Sequence, residues 1–180
     1  MANLEPLIQS IPVAPLKLAS LEGCRTLADQ VNNYLVSFRH ESPTNVGQAD
    51  SLQGYCADSY LLECECPRFG SGEGKGVLKE SVRGCDLFII VDVTNYSLTY
   101  RVNGYENHMS PDNHYQDLKR IISAADGKAR RINVIMPFLY EGRQHKRSKR
   151  ESLDCALMLQ ELVDMGVSNI LTFDAHDPRV

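Results

Sequence analysis

The chain has 180 residues, a formal net charge of −4 at pH 7, and a composition that is 43% hydrophobic and 23% charged. These values are ordinary for one globular domain, and the acidic balance excludes a protein built to coat nucleic acid or anionic lipid. No apolar run approaches the roughly 20 residues that span a bilayer, and the first residues lack the pattern of a signal peptide. We therefore expect a cytoplasmic protein with no membrane partner.

The first 66 residues predict two strands and a helix. Prolines up to Pro15 indicate an extended arm, after which 15–19 has the apolar character of a strand. Residues 22–38 carry apolar side chains at helical spacing, which predicts an amphipathic helix. The polar stretch within 40–60 is typical of a loop insertion, and 60–66 of a strand with mixed polarity. The apolar face of the helix is expected to contain Leu27, Val31, Tyr34, Leu35 and Phe38.

Glycine alternates with other residues at Gly70, Gly72, Gly74 and Gly76, which predicts a tight turn. Residues 77–82 then pair back across the turn as the arm of a β-hairpin. The segment lacks a GxxxxGK[ST] phosphate loop and a GxGxxG motif between a strand and a helix. A hairpin is therefore favoured, whose tip either binds a ligand through Glu73 and the glycines or is a plain turn.

Three apolar, β-branched segments predict buried strands at 86–93, 132–136 and 169–173. Their alternation with helices predicts a right-handed α/β fold in which helices flank a parallel sheet, a Rossmann-like three-layer arrangement with a β-hairpin arm. The sequence stops soon after a strand that looks central, with no helix to cover it. We therefore expect 1–180 to be a single N-terminal domain of a longer protein.

Two helices are predicted between these strands. The first begins at Asp112 or Asn113 as its N-cap and runs to about residue 125. The second covers 153–165 and is closed by Gly166; its apolar face is expected to contain Leu153, Leu157, Leu159, Leu162 and Val163. The polar residues at 94–110 are interpreted as a second loop insertion.

A basic loop follows the predicted strand 132–136. Ligands of open α/β sheets bind at the carboxyl ends of strands, and guanidinium groups bind phosphate oxygens in pairs. The pattern favours a phosphate site in which Gln144 orients the ligand, with a solvated basic loop as the alternative. The loop contains Arg143, Gln144, His145, Lys146, Arg147, Lys149 and Arg150.

Asp174 and His176 follow the predicted strand 169–173 and lie one residue apart. Alternation along an extended chain directs both side chains to the same side. A carboxylate suits Mg²⁺ and an imidazole suits a phosphate, so the pair indicates a nucleotide–metal site. The alternative is an aspartate that caps the turn after the strand.

The six cysteines show no zinc-binding spacing; Cys64 and Cys66, for example, are separated by one residue. In a cytoplasmic protein we expect free thiols, and no role is assigned to them.

The chain resembles the N-terminal half of ribose-phosphate pyrophosphokinase, also called phosphoribosyl pyrophosphate (PRPP) synthetase, from about residue 23 to 176. The resemblance rests on the order and spacing of several segments. These are FGSGE at 69–73, ESVRGCDLFII at 80–90, RINVIMP at 131–137, GRQ at 142–144 and DAH at 174–176.

That resemblance implies a phosphoribosyltransferase-like α/β domain. The activity it implies is transfer of the diphosphoryl group of ATP, with Mg²⁺, to the 1-hydroxyl of ribose 5-phosphate, which makes PRPP for nucleotide biosynthesis. Arg143 and Gln144 would contact ATP, and His176 would touch ATP phosphates or Mg²⁺ beside Asp174 as the metal site. The residues of the arm tip, Ser71, Gly72 and Glu73, would reach the adenine of a neighbouring subunit's ATP in a homo-oligomer.

Two positions differ from the family pattern. His145 stands where the family commonly has Asp, and Ser71 where it commonly has an acidic residue. The catalytic residues and the ribose-5-phosphate site are expected in the C-terminal half. A non-catalytic regulatory homologue is therefore the alternative hypothesis, whereas nucleic-acid binding has no supporting motif.

Overall fold

The computed structural model describes residues 12–41 and 54–177. A short 3₁₀ helix (Glu22–Cys24) precedes α1 (Arg25–Glu41), and the other helices are α2 (Pro111–Ala125) and α3 (Asp154–Asp164). The strands, in chain order, are β1 (Leu16–Ser20), β2 (Leu61–Leu62), β3 (Cys64–Glu65), β4 (Val77–Leu78), β5 (Asp86–Ile90), β6 (Thr99–Val102), β7 (Tyr105–His108), β8 (Arg131–Ile135) and β9 (Val167–Leu171).

A five-stranded sheet of order β2-β1-β5-β8-β9 forms the middle layer, and all its neighbouring strands are parallel. Its central strands are apolar on both faces because helices cover both faces. On one face Leu87 and Ile89 pack with α2 and α3. On the other, Leu18 and Ile90 pack with the start of α1. This arrangement confirms the predicted three-layer α/β fold.

A polar network joins three strands of this sheet near their amino ends. Asp86 accepts hydrogen bonds from Arg131 Nε and from Asn133 Nδ2, both at 2.8 Å. Asn133 in turn accepts one from Asn169 Nδ2 at 2.7 Å. Asn133 is 1% exposed, and a buried amide is tolerated only where it is hydrogen-bonded. The network therefore fixes the register of β5, β8 and β9.

The β-hairpin arm consists of β3 and β4, which pair antiparallel. The predicted single strand at 60–66 is wrong, because β2 joins the main sheet while β3 turns away into the arm. Asn32 on α1 holds the start of β2, since its Oδ1 accepts from Tyr60 N at 2.8 Å. The arm lies close to α2: a Cβ on Gly76 would overlap the backbone carbonyl of Arg120.

The region predicted as a second loop insertion, 94–110, contains the β6–β7 hairpin, so the loop prediction is wrong in this respect. β6 alternates between exposed and half-buried residues and β7 is exposed throughout, so the hairpin has no buried apolar face and its polar sequence suggested a loop. The predicted N-cap of α2 is also wrong. Ser110 is the cap; its Oγ accepts from Asn113 N at 3.2 Å, and Pro111 occupies the first turn, where a missing N–H costs nothing.

The predicted strands 15–19, 86–93 and 132–136 and the helix 22–38 are confirmed, with shifts of a few residues. The C-terminal glycine is also confirmed, since Gly166 has φ +89° after α3. Parts of two predicted apolar faces are wrong. The exposed members are Leu27, Tyr34, Leu157 and Val163.

The last predicted strand is correct in existence but wrong in burial. β9 is an edge of the described sheet, and most of its residues are exposed or half-buried. Of the first insertion, 42–53 lie outside the described residues, as do 1–11 of the predicted N-terminal arm. None of the described helices is both long and apolar enough to cross a membrane.

All six cysteines are free thiols, as predicted. Burial raises the pKa of Cys64 to about 11 and that of Cys66 to about 12. Burial, together with the Asp92 carboxylate, raises the pKa of Cys24 to about 12. These three thiols therefore carry almost no thiolate at neutral pH, and the thiolate is the reactive form.

We expect Asp86→Ala to lower the free energy of unfolding by about 3 kcal/mol, because Arg131 and the buried Asn133 lose their acceptor. Urea denaturation measures this loss. Glu80→Ala is the matched control: it removes an exposed carboxylate from Lys17 and should cost less than about 1 kcal/mol. Equal losses in the two variants would contradict the structural role of Asp86.

We expect a thiol reagent such as DTNB at pH 8 to modify Cys56 rapidly in the native protein, because Cys56 is exposed. Cys24, Cys64 and Cys66 should react only at the rate of unfolding. Peptide mass spectrometry after timed labelling identifies the modified residues. The variant Cys56→Ser should lose the fast phase, and rapid native labelling of Cys64 or Cys66 would contradict their assigned burial.

Candidate functional site

The carboxyl ends of β8 and β9 continue to pair beyond the strands themselves. Asp174 N donates to Pro137 O at 2.9 Å, and Leu139 N donates to Asp174 O at 3.2 Å. Phe138 and Asp174 form a parallel bridge at this point. The two segments singled out from sequence, the basic loop and the strand tip at 174–176, therefore begin side by side at one edge of the sheet.

Two consecutive turns begin the basic loop. Gly142 N donates to Leu139 O at 3.1 Å, and Gln144 N donates to Glu141 O at 2.9 Å. Glu141 adopts φ +55°, and a Cβ on Gly142 would lie 3.0 Å from Leu139 O. This tight backbone places Arg143 at the surface. Among residues 12–41 and 54–177, the Arg143 side chain forms no ion pair.

The Gln144 side chain fastens the basic loop through hydrogen bonds to two backbone carbonyl groups. Its Nε2 donates to Ser152 O at 2.7 Å and to Lys146 O at 3.3 Å. Its backbone carbonyl accepts from Cys155 N at 3.3 Å, in the first turn of α3. The amide nitrogen thus holds the loop, and Oε1 is the atom of this side chain suited to accept a bond from a ligand.

His145 lies between the two segments. Its Nδ1 is 3.2 Å from Gly142 O, and its Nε2 is 3.5 Å from Asp177 Oδ2 without forming a hydrogen bond. The His145 ring centroid is 6.1 Å from that of His176. An ion pair with Asp177 exists only when the His145 ring is protonated.

Asp174 lines a cleft of about 440 Å³ at the carboxyl edge of the sheet. Asp92, which follows β5, lines the same cleft and accepts from Thr94 N at 2.8 Å and Thr94 Oγ1 at 2.7 Å. Sequence reasoning missed Asp92, although it is a carboxylate at the end of a buried strand, which is the pattern that identified Asp174. His176 is exposed beside this edge.

The donor set at this edge suits Mg²⁺ only in part. Carboxylate oxygens such as those of Asp174 and Asp92 are its preferred protein ligands. Within the described part of the chain, however, no three His, Cys, Asp or Glu side chains converge to hold a metal. Mg²⁺ commonly keeps one or two carboxylates and takes its other ligands from water and substrate phosphates, so the residues fit an ion that arrives with a nucleotide.

The arm tip contains three hydrogen bonds of its own. Phe69 N donates to Glu73 O at 2.7 Å, Gly72 N donates to Phe69 O at 2.9 Å, and Ser71 Oγ donates to Glu73 Oε2 at 2.8 Å. Gly72 has φ +90°, which favours glycine. Among the described residues, no hydrogen bond or ion pair joins this tip to the basic loop or to Asp174 and His176.

A parallel sheet between two helical layers, with a hairpin arm and charged groups at its strand tips, defines a phosphoribosyltransferase-like α/β domain. The crystal structure of phosphoribosylpyrophosphate synthetase from Mycobacterium smegmatis has the same fold. It superposes with a TM-score of 0.67 at 24% identity, over 92% of this chain and 44% of that one.

The family model for the N-terminal domain of ribose phosphate pyrophosphokinase matches residues 16–166. The chain belongs to this family, as the motifs predicted. It is 30% identical over 167 residues to proteins named ribose-phosphate pyrophosphokinase from Corynebacterium ammoniagenes and Bacillus cereus. The matched region is 92% of this chain but only 41% of either relative, so the chain spans about two fifths of their length.

We expect Gln144→Ala to loosen the basic loop, because it removes the bonds to Ser152 O and Lys146 O. A loss of about 1 kcal/mol in local stability corresponds to roughly fivefold faster trypsin cleavage at Lys146–Arg150. Gln160→Ala removes an exposed glutamine from Asp164 on α3 and should leave the rate unchanged. An unchanged rate in Gln144→Ala would contradict the fastening role.

Proposed function

We propose that this chain is the ATP- and Mg²⁺-binding half of a ribose-phosphate pyrophosphokinase. The complete enzyme would transfer the β,γ-diphosphoryl group of ATP to the 1-hydroxyl of ribose 5-phosphate and so make PRPP for nucleotide biosynthesis. The observation that carries the proposal is the pairing of Phe138 with Asp174, because it joins a basic loop to a carboxylate–histidine tip at one sheet edge. Membership of the family supports the reaction.

Arg143 binds the ATP phosphates in this proposal. Its guanidinium is exposed and unpaired among the described residues, so no ion pair has to be broken before phosphate binds. Gln144 accepts a bond from the nucleotide through Oε1 while its amide nitrogen keeps the loop closed. The exposed cations at 146–150 attract the anion at longer range, and His176 contacts its phosphates.

Mg²⁺ would neutralise negative charge on the phosphates. Asp174 is the oxygen ligand proposed for it, with His176 beside it, and Asp92 is a second carboxylate lining the same cleft. Because no three metal-ligating side chains converge among the described residues, we expect the metal and the nucleotide to bind together: removing Mg²⁺ with EDTA should weaken ATP binding strongly.

The arm tip has a separate part in the proposal. Among the described residues, no hydrogen bond or ion pair joins Ser71, Gly72 and Glu73 to the basic loop, and we propose that they contact the nucleotide of a neighbouring copy in a homo-oligomer. Phe69, 53% exposed at this tip, offers an aromatic face for stacking on a base.

The catalytic residues and the ribose-5-phosphate site are assigned to the region of the relatives that this chain does not span. We therefore expect the 180-residue chain to bind ATP without turnover. The complete polypeptide that carries this domain should convert ATP and ribose 5-phosphate to PRPP and AMP, which phosphorus NMR detects.

A regulatory, non-catalytic homologue is the second candidate function. It is favoured by His145, directly after Arg143 and Gln144, and by Ser71, because the family resembled commonly has an acidic residue at both positions. A complete polypeptide that binds ATP, forms oligomers and makes no PRPP would support this candidate over the enzyme.

We expect Arg143→Ala to weaken Mg·ATP binding to the 180-residue chain by about 10-fold to 100-fold, since charge-assisted bonds to phosphate contribute roughly 1.5–3 kcal/mol. Isothermal titration calorimetry measures the affinity. Arg150→Ala removes a charge from the same loop and should change it by no more than about twofold. Equal effects of the two variants would show that Arg143 contributes only net charge, and would contradict its proposed direct contact with phosphate.

A further inference from the structure

The β6–β7 hairpin contacts the arm at its tip. Asn103 N, in the turn of this hairpin, donates to Gly70 O at 3.3 Å. A Cβ built on Gly72 would lie 2.9 Å from Val102 Cγ2 and 3.8 Å from Tyr100 Cε2. The tip therefore touches the hairpin on the side where Gly72 has no side chain.

The β6–β7 hairpin is itself fixed at its base. Met109 N donates to Leu98 O at 2.9 Å, and the rings of Tyr96 and His108 stack with centroids 4.3 Å apart. His114 Nε2 on α2, in a side chain that is 2% exposed, lies 2.6 Å from Asn95 O. This contact joins the segment before β6 to α2, a helix of the core.

Arg68 connects the same hairpin to the arm. Its guanidinium forms two hydrogen bonds to Asp117 on α2, at 2.7 and 2.8 Å, and lies 5.3 Å from the ring centroid of Tyr100. A cavity of about 260 Å³, lined by both hairpins and by α2, lies beside these contacts. The arm and the β6–β7 hairpin are therefore in contact at two places, at Arg68 and at the arm tip, and the cavity lies beside these contacts.

We infer that the β6–β7 hairpin is a brace that holds residues 69–73 in one conformation and so positions Ser71 and Glu73 for their ligand. A two-stranded hairpin alone is only marginally stable in water, so an unbraced tip would become ordered only on binding. Ordering the tip beforehand removes that entropic cost from binding. The identity of the ligand, the adenine of ATP, rests on the proposed function, whereas the bracing contact does not.

Amide hydrogen exchange on the 180-residue chain tests the brace through Phe69 N, which is bonded to Glu73 O. Tyr100→Ala and Val102→Ala should each speed exchange of this amide on the order of tenfold, because they remove the surface against which the tip packs. Tyr105→Ala is the matched control: Tyr105 lies on the same hairpin and is 77% exposed, so exchange should be unchanged. Unchanged exchange in Tyr100→Ala and Val102→Ala overturns the brace.

A double-mutant cycle makes the test independent of general destabilisation. Gly72→Ala introduces a Cβ toward Val102 and also strains a backbone with φ +90°. Val102→Ala relieves the overlap and leaves the strain, so Gly72→Ala should speed exchange less in the Val102→Ala background than in the wild type. Equal effects in both backgrounds would show that the two residues are not in contact and would overturn the brace.

Steady-state kinetics of the complete polypeptide separates the brace from the role of the tip. Tyr100→Ala should raise the KM for ATP about tenfold with little change in kcat, and Tyr100→Phe, which keeps the ring, should retain wild-type values. Faster exchange together with an unchanged KM supports the brace and removes the arm tip from the proposed ATP site. A raised KM without faster exchange overturns the brace and leaves the ATP site in place.

Discussion

The carboxylate of Asp117 fixes the relation between the arm and the rest of the molecule. It accepts hydrogen bonds from Arg68 at the arm and from Arg120 on its own helix, and its side chain is only 7% exposed. Neither guanidinium could stay in this semi-buried place without it, because an unpaired buried charge is strongly unfavourable. Gly74 and Gly76 complete the constraint, since a Cβ on either would meet Arg68 or Arg120. Asp117 belongs to α2, a helix of the core, so its hydrogen bonds to Arg68 fix the orientation of the arm relative to the core.

Much of the fold follows from local pattern. The strands β5 and β8 are mostly apolar runs of the kind found in parallel sheets covered on both faces, and they were predicted with small errors in their bounds. The β6–β7 hairpin was not predicted, because its stability comes from contacts with distant segments and not from an apolar face of its own. The apolar faces of two helices were also predicted partly wrongly, because helical spacing does not specify which residues contact the sheet. Leu157 has helical spacing like Leu162, yet only Leu162 meets the sheet.

For the candidate site too, local pattern predicted some features, whereas others depend on contacts between distant segments. Arg143 and Asp174 were selected as candidates because a rule places ligands at the carboxyl ends of parallel strands, and the rule needs no knowledge of contacts. The pairing of Phe138 with Asp174 depends on strand order, which periodicity does not specify. The side-chain bonds of Gln144 to loop carbonyls depend on backbone geometry that no motif encodes. The sequence thus suggested candidate residues for the site but not the contacts that hold them in place.

The position of β9 at the edge of the described sheet has a consequence for handling the protein. Parallel pairing leaves one side of its backbone without a neighbouring strand, and the following Phe173 is 76% exposed. The segment 167–173 reads VSNILTF, which has strong β propensity, no charge and no proline. Such an edge is a template for strand addition by another molecule. At high concentration the isolated chain should therefore self-associate along this edge, which would limit its solubility. A lysine substituted on the exposed face of β9 should reduce the self-association, because natural edge strands commonly carry lysine for this purpose.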